Sequence, residues 1–234
     1  MIVVKNLTKF YEKTQALQDV SFEFSDETVT AIMGENGAGK STLLKICAGV
    51  MGFDKGQIII EGILLSKQPE KARSYLGYLP EMPFLYDRLT GREFLLYIAS
   101  LRKYSSATSE IEGFSKRLGI HRFLDQEIGS YSKGMKQKIS LISSILHKPM
   151  NLLLDEPVWG LDPLTTRTLK DFILKRKGTT IIATHAPALV EDVADRVYFL
   201  SNGTILSSDC VSQYIQRYGS IEEAYFHEAQ ITYA

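Results

Sequence analysis

Hydrophobic and polar positions alternate at the start of the chain. Ile2-Val3-Val4 is an apolar triplet, and between Leu17 and Phe24 the residues Val20, Phe22 and Phe24 share one face, the two-residue period of a strand. Val29–Met33 is a short apolar run that ends in glycine. Residues 57–62 read as a strand with a turn on each side, and residues 73–79 as another strand stopped by Pro80. Helical spacing marks residues 43–50. From about Phe84 to Ser130 the apolar period lengthens, with helices expected over 91–104 and 108–126 and Gly113 and Gly119 as breaks. Residues 134–147 read as a further helix, with Ile139, Ile142 and Ile145 on one stripe. Then come a strand (151–154), a helix (Pro163–Lys175), a strand (180–183) and a helix (187–194). Residues 197–200 and 204–206 flank Asn202-Gly203, a hairpin signal. Strands that alternate with helices predict a mainly parallel sheet covered on both faces, so the expected class is α/β.

The 234 residues show no internal repeat or low-complexity tract. A chain of this length buries roughly 70–75% of its unfolded surface and needs no disulfide or structural metal. With 44% hydrophobic and 23% charged residues it is neither disordered nor fibrous. Lys+Arg and Asp+Glu balance at 27 each, so no global field draws it to nucleic acid, and no nucleic-acid partner is expected. No apolar stretch approaches a membrane span, and the first residues lack the pattern of a secretory signal. A cytoplasmic location is expected. Cys47 lies at helical spacing from Leu43 and Leu44 and reads as a buried thiol; Cys210 has no nearby partner, and no disulfide is expected in that compartment.

The strongest chemical signal is Gly34-Glu35-Asn36-Gly37-Ala38-Gly39-Lys40-Ser41-Thr42, a full G-x-x-x-x-G-K-[S/T] match between a predicted strand and a predicted helix. The glycines let backbone N–H groups converge on phosphate at the positive end of a helix. Lys40 then neutralises the β- and γ-phosphates, Ser41 places its hydroxyl on Mg²⁺, and Thr42 bonds the α-phosphate. This says nucleotide, without saying which reaction. Leu152-Leu153-Leu154-Asp155-Glu156 is an apolar strand that delivers two carboxylates at its C-terminal end, where open parallel sheets bind ligands. Asp155 is placed to hold Mg²⁺ and Glu156 to deprotonate an attacking water. His185 follows a second apolar strand through Thr184 and is positioned to approach the γ-phosphate. His121, His147 and His227 read as structural.

Taken in order, these segments resemble the ATP-binding-cassette (ABC) ATPases over nearly the whole chain. Gly34 to Thr42 resembles the family's phosphate loop (Walker A) and Leu152 to Glu156 its acidic strand (Walker B). Gly160-Leu161-Asp162-Pro163 resembles the D-loop and Thr184-His185 the H-loop. Tyr11 stands where the family carries an aromatic that stacks on adenine, with Phe10 as the alternative. The resemblance implies a P-loop NTPase core with an N-terminal antiparallel β subdomain, about residues 1–83 and 131–210. It further implies an inserted helical subdomain at about 84–130 and a short helical tail at 211–234. It implies ATP and Mg²⁺ as cofactors, and a head-to-tail dimer with a second copy or a paralogous ATPase subunit. Tyr131-Ser132-Lys133-Gly134-Met135 is similar to the signature segment that reaches the partner's ATP, with Ser132 and Gly134 as the contacting parts.

Two departures stand out: Lys133 where glycine is usual, and Glu81 where glutamine is usual. Glu81 keeps a metal contact and loses an amide donor. Together with Leu89-Thr90-Gly91-Arg92-Glu93 they resemble a bacterial exporter branch whose membrane permease is a separate polypeptide. The expected protein is therefore the ATPase subunit of such an exporter, peripheral on the inner face of the cell membrane. Trp159 reads equally as a packing residue or a partner contact. Phe84, Leu85, Tyr86 and Leu89 read equally as a permease contact or as core. Lys170, Lys175, Arg176 and Lys177 read as a solvated helix end. A non-transport ABC ATPase is the alternative; the single phosphate loop and the roughly fifty residues between Glu81 and Ser132 argue against it. A small-molecule kinase would not need all these segments together.

Overall fold

The computed structural model describes residues 1–230. The chain opens with β1 (Ile2–Tyr11) and β2 (Thr14–Phe24), paired antiparallel. Leu17 and Val20 are three apart, which strict alternation places on opposite faces. The register shifts between the Leu7–Val20 and Lys9–Leu17 pairs, and Asp19 takes a φ of 49°. This irregularity turns Leu17 and Val20 inward together, and both are buried. β3 (Val29–Met33) leaves for a second sheet and feeds α1 (Lys40–Cys47), after which β4 (Lys55–Ile60) and β5 (Ile63–Leu64) return to the first. Glu61 and Gly62, with φ of 49° and 73°, form the two-residue turn between them.

Residues 73–79 are only partly a strand. Arg73 and Ser74 end α2 (Pro69–Ser74), and β6 covers Leu76–Leu79. Pro69 at the first helical position nucleates a turn through Glu70, Lys71 and Ala72, residues that favour helix, and the apolar run resumes only at Leu76. Next come α3 (Gly91–Leu101) and α4 (Ala107–Arg117). Thr90 caps α3 in a reciprocal capping box with Glu93. Gly113 lies inside α4 and breaks nothing, because a Cβ there meets only Arg117 Nη2 at 3.8 Å; Gly119, at φ 67°, is the stop.

The remaining elements are α5 (Lys133–Ile145), β7 (Asn151–Asp155), α6 (Pro163–Lys175), β8 (Thr179–Thr184), α7 (Pro187–Val193), β9 (Arg196–Ser201), β10 (Thr204–Cys210), α8 (Val211–Tyr218) and α9 (Ile221–Glu228). The second sheet has the order β10-β9-β3-β8-β7-β6, parallel except for the edge pair of β9 and β10. Asn202 and Gly203 turn the predicted hairpin with φ of 46° and 74°. Arg176 is not a solvated end of α6: its guanidinium donates to the carbonyls of Pro149, Gly178 and Thr179 and ties the helix to β8.

Three apolar clusters hold these layers. α1 is packed between the two sheets, with Leu43, Leu44 and Ile46 against Phe22, Ile58 and Leu153. On the other face of the parallel sheet, α5, α6 and α7 share one cluster with α3 and α4. α8 and α9 cover β3 and β9 through Phe199, Tyr214 and Tyr225. The ends of β3, β7 and β8 are thus fixed from both sides, and the polar segments Gly34–Thr42, Asp155-Glu156 and Thr184-His185 all emerge at that edge.

Candidate functional site

β3 ends at Met33, and the chain turns at once through Gly34, where an added Cβ would lie 2.1 Å from the Leu200 carbonyl oxygen. Gly39 caps α1 at φ 105°, a left-handed conformation that a side chain resists. Between them the loop folds back on Lys40. Its ammonium donates to the carbonyls of Gly34 at 2.7 Å and Glu35 at 2.9 Å. Lys40 is buried, and this desolvation pulls its pKa down, opposed by the charges of Glu156, Asp155 and Glu81. Ser41, in the first turn of α1, donates its hydroxyl to Asp155 Oδ1 at 2.9 Å.

Asp155 is fully buried at the end of β7. Burial pushes its carboxyl up to about 6, with the negative charges of Glu81 and Glu156 adding to the shift and the Ser41 bond opposing it. Its Oδ2 is buried and has no hydrogen-bond partner among the described residues. A cation there would satisfy that oxygen and relieve the repulsion. Ser41, Asp155 and the nearby Glu81 are all hard oxygen donors, the chemistry Mg²⁺ takes, so the residues fit the ion. Among the described residues no group of three or more His, Cys, Asp or Glu side chains is poised to hold a metal. A sparse protein ligand set suits an ion that also binds substrate phosphates and water.

Glu156 has a φ of 46°, outside the usual range for a side-chain-bearing residue. Its N–H donates to the Ala183 carbonyl at 2.9 Å, which ties the start of the turn to β8. Both carboxylate oxygens are engaged. Thr184 Oγ1 donates to Oε2 at 3.0 Å, and His185 Nδ1 stands 2.7 Å from Oε1. A carboxylate offers only lone pairs, so Nδ1 carries the proton of that bond, and in the neutral ring Nε2 is left as an acceptor. Thr184 is itself oriented by accepting from the Ala186 N–H at 3.1 Å.

These groups surround one open cleft of about 580 Å³. Tyr11, Asn36, Gly37, Gly39, Lys40, Ser41, Thr42, Glu81 and Glu156 line it. Gly34, Glu35 and Ala38 complete the loop behind them, and His185 reaches the cleft through Glu156. Tyr11 is 44% exposed, and its hydroxyl bonds Met51 Sδ at 3.0 Å and lies 3.3 Å from Thr42 Oγ1, which seats the ring beside the loop. Phe10 is not in the wall of the cleft. Ser132 and Gly134 are also elsewhere: Ser132 caps α5 by accepting from the Met135 N–H, and Gly134 lies in the first turn. Five contributors escape the sequence reading. Thr14, Gln15, Ala16, Asn202 and Gly203 line the cleft from the β1–β2 and β9–β10 hairpins, which no local motif connects to the loop. Thr184 was visible only as the neighbour of His185.

The family description "ABC transporter" matches residues 17–159 of the chain. The chain is 35% identical over 212 residues to an uncharacterized ABC transporter ATP-binding protein, YxlF, of Bacillus subtilis (strain 168), covering 88% of this chain and 69% of that one. It is 32% identical over 229 residues to the ABC-type transporter ATP-binding protein EcsA of the same organism, covering 96% and 93%. Among solved structures, an ATP binding subunit of an ABC transporter superposes with a TM-score of 0.91 at 31% identity, over 98% of this chain and 99% of that one. The dimeric post-hydrolysis ATP-binding cassette MJ0796, bound to ADP and Pi, shares the fold with a TM-score of 0.81 at 22% identity, over 90% and 98%.

Proposed function

This chain belongs to the ABC transporter family as one of its ATPases, and from that premise we propose that it drives a separate membrane permease by closing around ATP with a second copy or a paralogous subunit. Tyr11 takes the adenine. The loop Gly34-Glu35-Asn36-Gly37-Ala38-Gly39 and Thr42 cradle the phosphates, and Lys40 exchanges its two carbonyl partners for phosphate oxygens. Ser41, Asp155 and Glu81 would hold Mg²⁺, which supplies neutralisation of phosphate charge when bound. Glu156 takes the proton of a water as its oxygen forms a bond to the γ-phosphorus. The bond from that phosphorus to the bridging oxygen breaks, and ADP and inorganic phosphate result. Thr184 and His185 hold the Glu156 carboxylate where that water must arrive.

The observation that carries this reading is the convergence of Lys40, Ser41 and Glu156 on one cleft, with Asp155 held directly behind Ser41, and the absence of Ser132 and Gly134 from it. The site is half-built, and a second subunit supplying Ser132 and Gly134 completes it. The dimeric MJ0796 cassette is a precedent for two copies of this fold together. No helix among the described residues is long and apolar enough to cross a membrane, and we assign the membrane-crossing part of the transporter to the permease. Met82, Phe84 and Tyr86, directly after Glu81, are all exposed, Phe84 at 82%, and we assign this patch to the permease. Export, rather than import, rests on the exporter-like segments around Glu81, Leu89 to Glu93 and Ser132; with a permease as partner, the chain sits on the cytoplasmic face of the membrane.

The deciding experiment is Glu156→Gln with ATP and Mg²⁺. Hydrolysis should fall about 10²–10⁴-fold, the usual share of general-base catalysis, while the chain elutes as a dimer. A full hydrolysis rate would remove Glu156 as the base. In parallel, affinity capture from detergent-solubilised membranes should recover one multi-span protein; recovery of ribosomes or DNA alone would favour a non-transport ATPase.

A further inference from the structure

Lys133, the departure within the signature-like segment, and the exposed Trp159 meet in space. The Lys133 ammonium lies 3.3 Å from the centroid of the Trp159 ring, well within the roughly 6 Å reach of a cation–π contact. Beside it, Gly134 brings the α5 backbone so near the loop that a Cβ there would stand 3.0 Å from the Gly160 carbonyl oxygen. Further along α5, Lys138 Nζ lies 2.9 Å from Asp162 Oδ2, and Asp162 caps α6 by accepting from the Thr165 N–H at 2.8 Å. The start of α5 is therefore clamped to residues 159–162. That loop is continuous with Glu156, whose carbonyl accepts from the Trp159 N–H at 3.1 Å. Trp159 is 41% exposed, so its ring is not there to fill a core.

We propose that Lys133 and Trp159 are a positioning pair that makes the two ATP sites of the dimer depend on one another. The proposal rests on the head-to-tail dimer described above. In that arrangement Ser132 and Gly134 of one subunit serve the partner's nucleotide, while Glu156 serves its own. A free lysine on a helix surface samples many rotamers and transmits nothing. Seated on the Trp159 ring, Lys133 joins the face that senses the partner's ATP to the loop that carries the base. Engagement at one site then biases Glu156 at the other, a coupling between two sites through one rigid contact.

Trp159 is the one tryptophan of the chain, so emission reports on the surroundings of this one ring. In Glu156→Gln, the emission should change on titration with ATP and Mg²⁺ in step with dimer formation followed by light scattering. In the otherwise unaltered chain, Lys133→Gln and Trp159→Ala should each lower the Hill coefficient of hydrolysis toward about 1. Each should raise half-saturating ATP roughly two- to fivefold, the factor an exposed cation–π contact carries, with kcat and Tm nearly unchanged. Lys133→Arg, whose guanidinium also stacks, should restore both, and the double variant should be no worse than either single one. Unchanged cooperativity in both single variants, or additive losses in the double, would overturn the pair. Absence of an ATP-dependent dimer in Glu156→Gln would instead overturn the dimer reading, and the pair with it. Because Lys133→Gln alters only an exposed side chain, its result stands even where Trp159→Ala fails to fold.

Discussion

At the cleft, Lys40, Asp155, Glu156 and Thr184 are all buried, whereas at the face made by α5 and residues 159–162, Ser132, Lys133 and Trp159 are all exposed. The buried set is pinned by bonds within the chain: Lys40 to two carbonyls, Ser41 to Asp155, Glu156 to Thr184 and His185. The exposed set holds itself together through one cation–π contact, one ion pair and one close backbone approach. Groups that act on developing charge gain from burial, because fixed dipoles in a dry site need no reorganisation. Groups that must meet another molecule have to wait in water. The two regions therefore answer to different perturbations, and substitutions should separate them.

The largest effect is expected at the most enclosed cation. Lys40→Ala should weaken ATP binding by about a hundredfold, the scale of a lost charged hydrogen bond network. A nucleotide-binding titration showing unchanged affinity would place the phosphates elsewhere. Thr184→Val keeps the shape of the side chain and removes the donor to Glu156 Oε2. It should lower kcat roughly tenfold to a hundredfold with little change in KM, since a hydrogen bond to a charged carboxylate is worth roughly 1.5–3 kcal/mol. Equal losses in both parameters would make Thr184 part of the binding wall.

Asp155 gives a comparison with opposite signs. Its folded-state pKa of about 6 lies above that of an unfolded aspartate. Its contribution to stability is therefore fully present below about pH 4 and is lost as pH rises through about 6. Without nucleotide, Asp155→Asn should raise Tm at pH 7.5 by on the order of 4 °C. The same change should weaken Mg²⁺-dependent ATP binding, and in the parent chain that binding should weaken as pH falls below about 6, when the carboxyl takes up a proton. Lower stability of Asp155→Asn at neutral pH would mean the carboxylate is already satisfied. Glu81→Gln should be mildest: about a threefold change or less in ATP affinity, on the scale of an exposed charge. Its larger influence should fall on turnover, because Glu81 is exposed beside the patch at Phe84. An affinity loss as large as that of Lys40→Ala would make Glu81 a principal metal ligand.

The phosphate loop and the two acids were legible because each is contiguous. A loop of fixed spacing, or a pair of carboxylates ending an apolar strand, carries its chemistry in neighbouring residues, and the sheet only has to bring the two ends together. Pro163–Lys175 and Val29–Met33 were likewise readable to the residue, one opened by proline after a capping aspartate, the other bounded by glycine. Residues 73–79 misled because a helix turn and a strand abut with no breaker between them. Gly113 misled because glycine inside a solvent-facing helix costs only about 1 kcal/mol and need not end it.

By itself, then, the sequence determined the α/β layering, the nucleotide loop and which carboxylates stand near it, since periodicity and local motif suffice for all of these. Only the tertiary structure decided that Thr184 locks Glu156, that Asn202, Gly203 and Gln15 wall the cleft, and that Lys133 sits on Trp159. Those contacts join residues far apart in the chain. Their partners are chosen by strand order, by a bulge at Asp19 and by the way α5 meets the loop before α6, none of which a local pattern of side chains encodes.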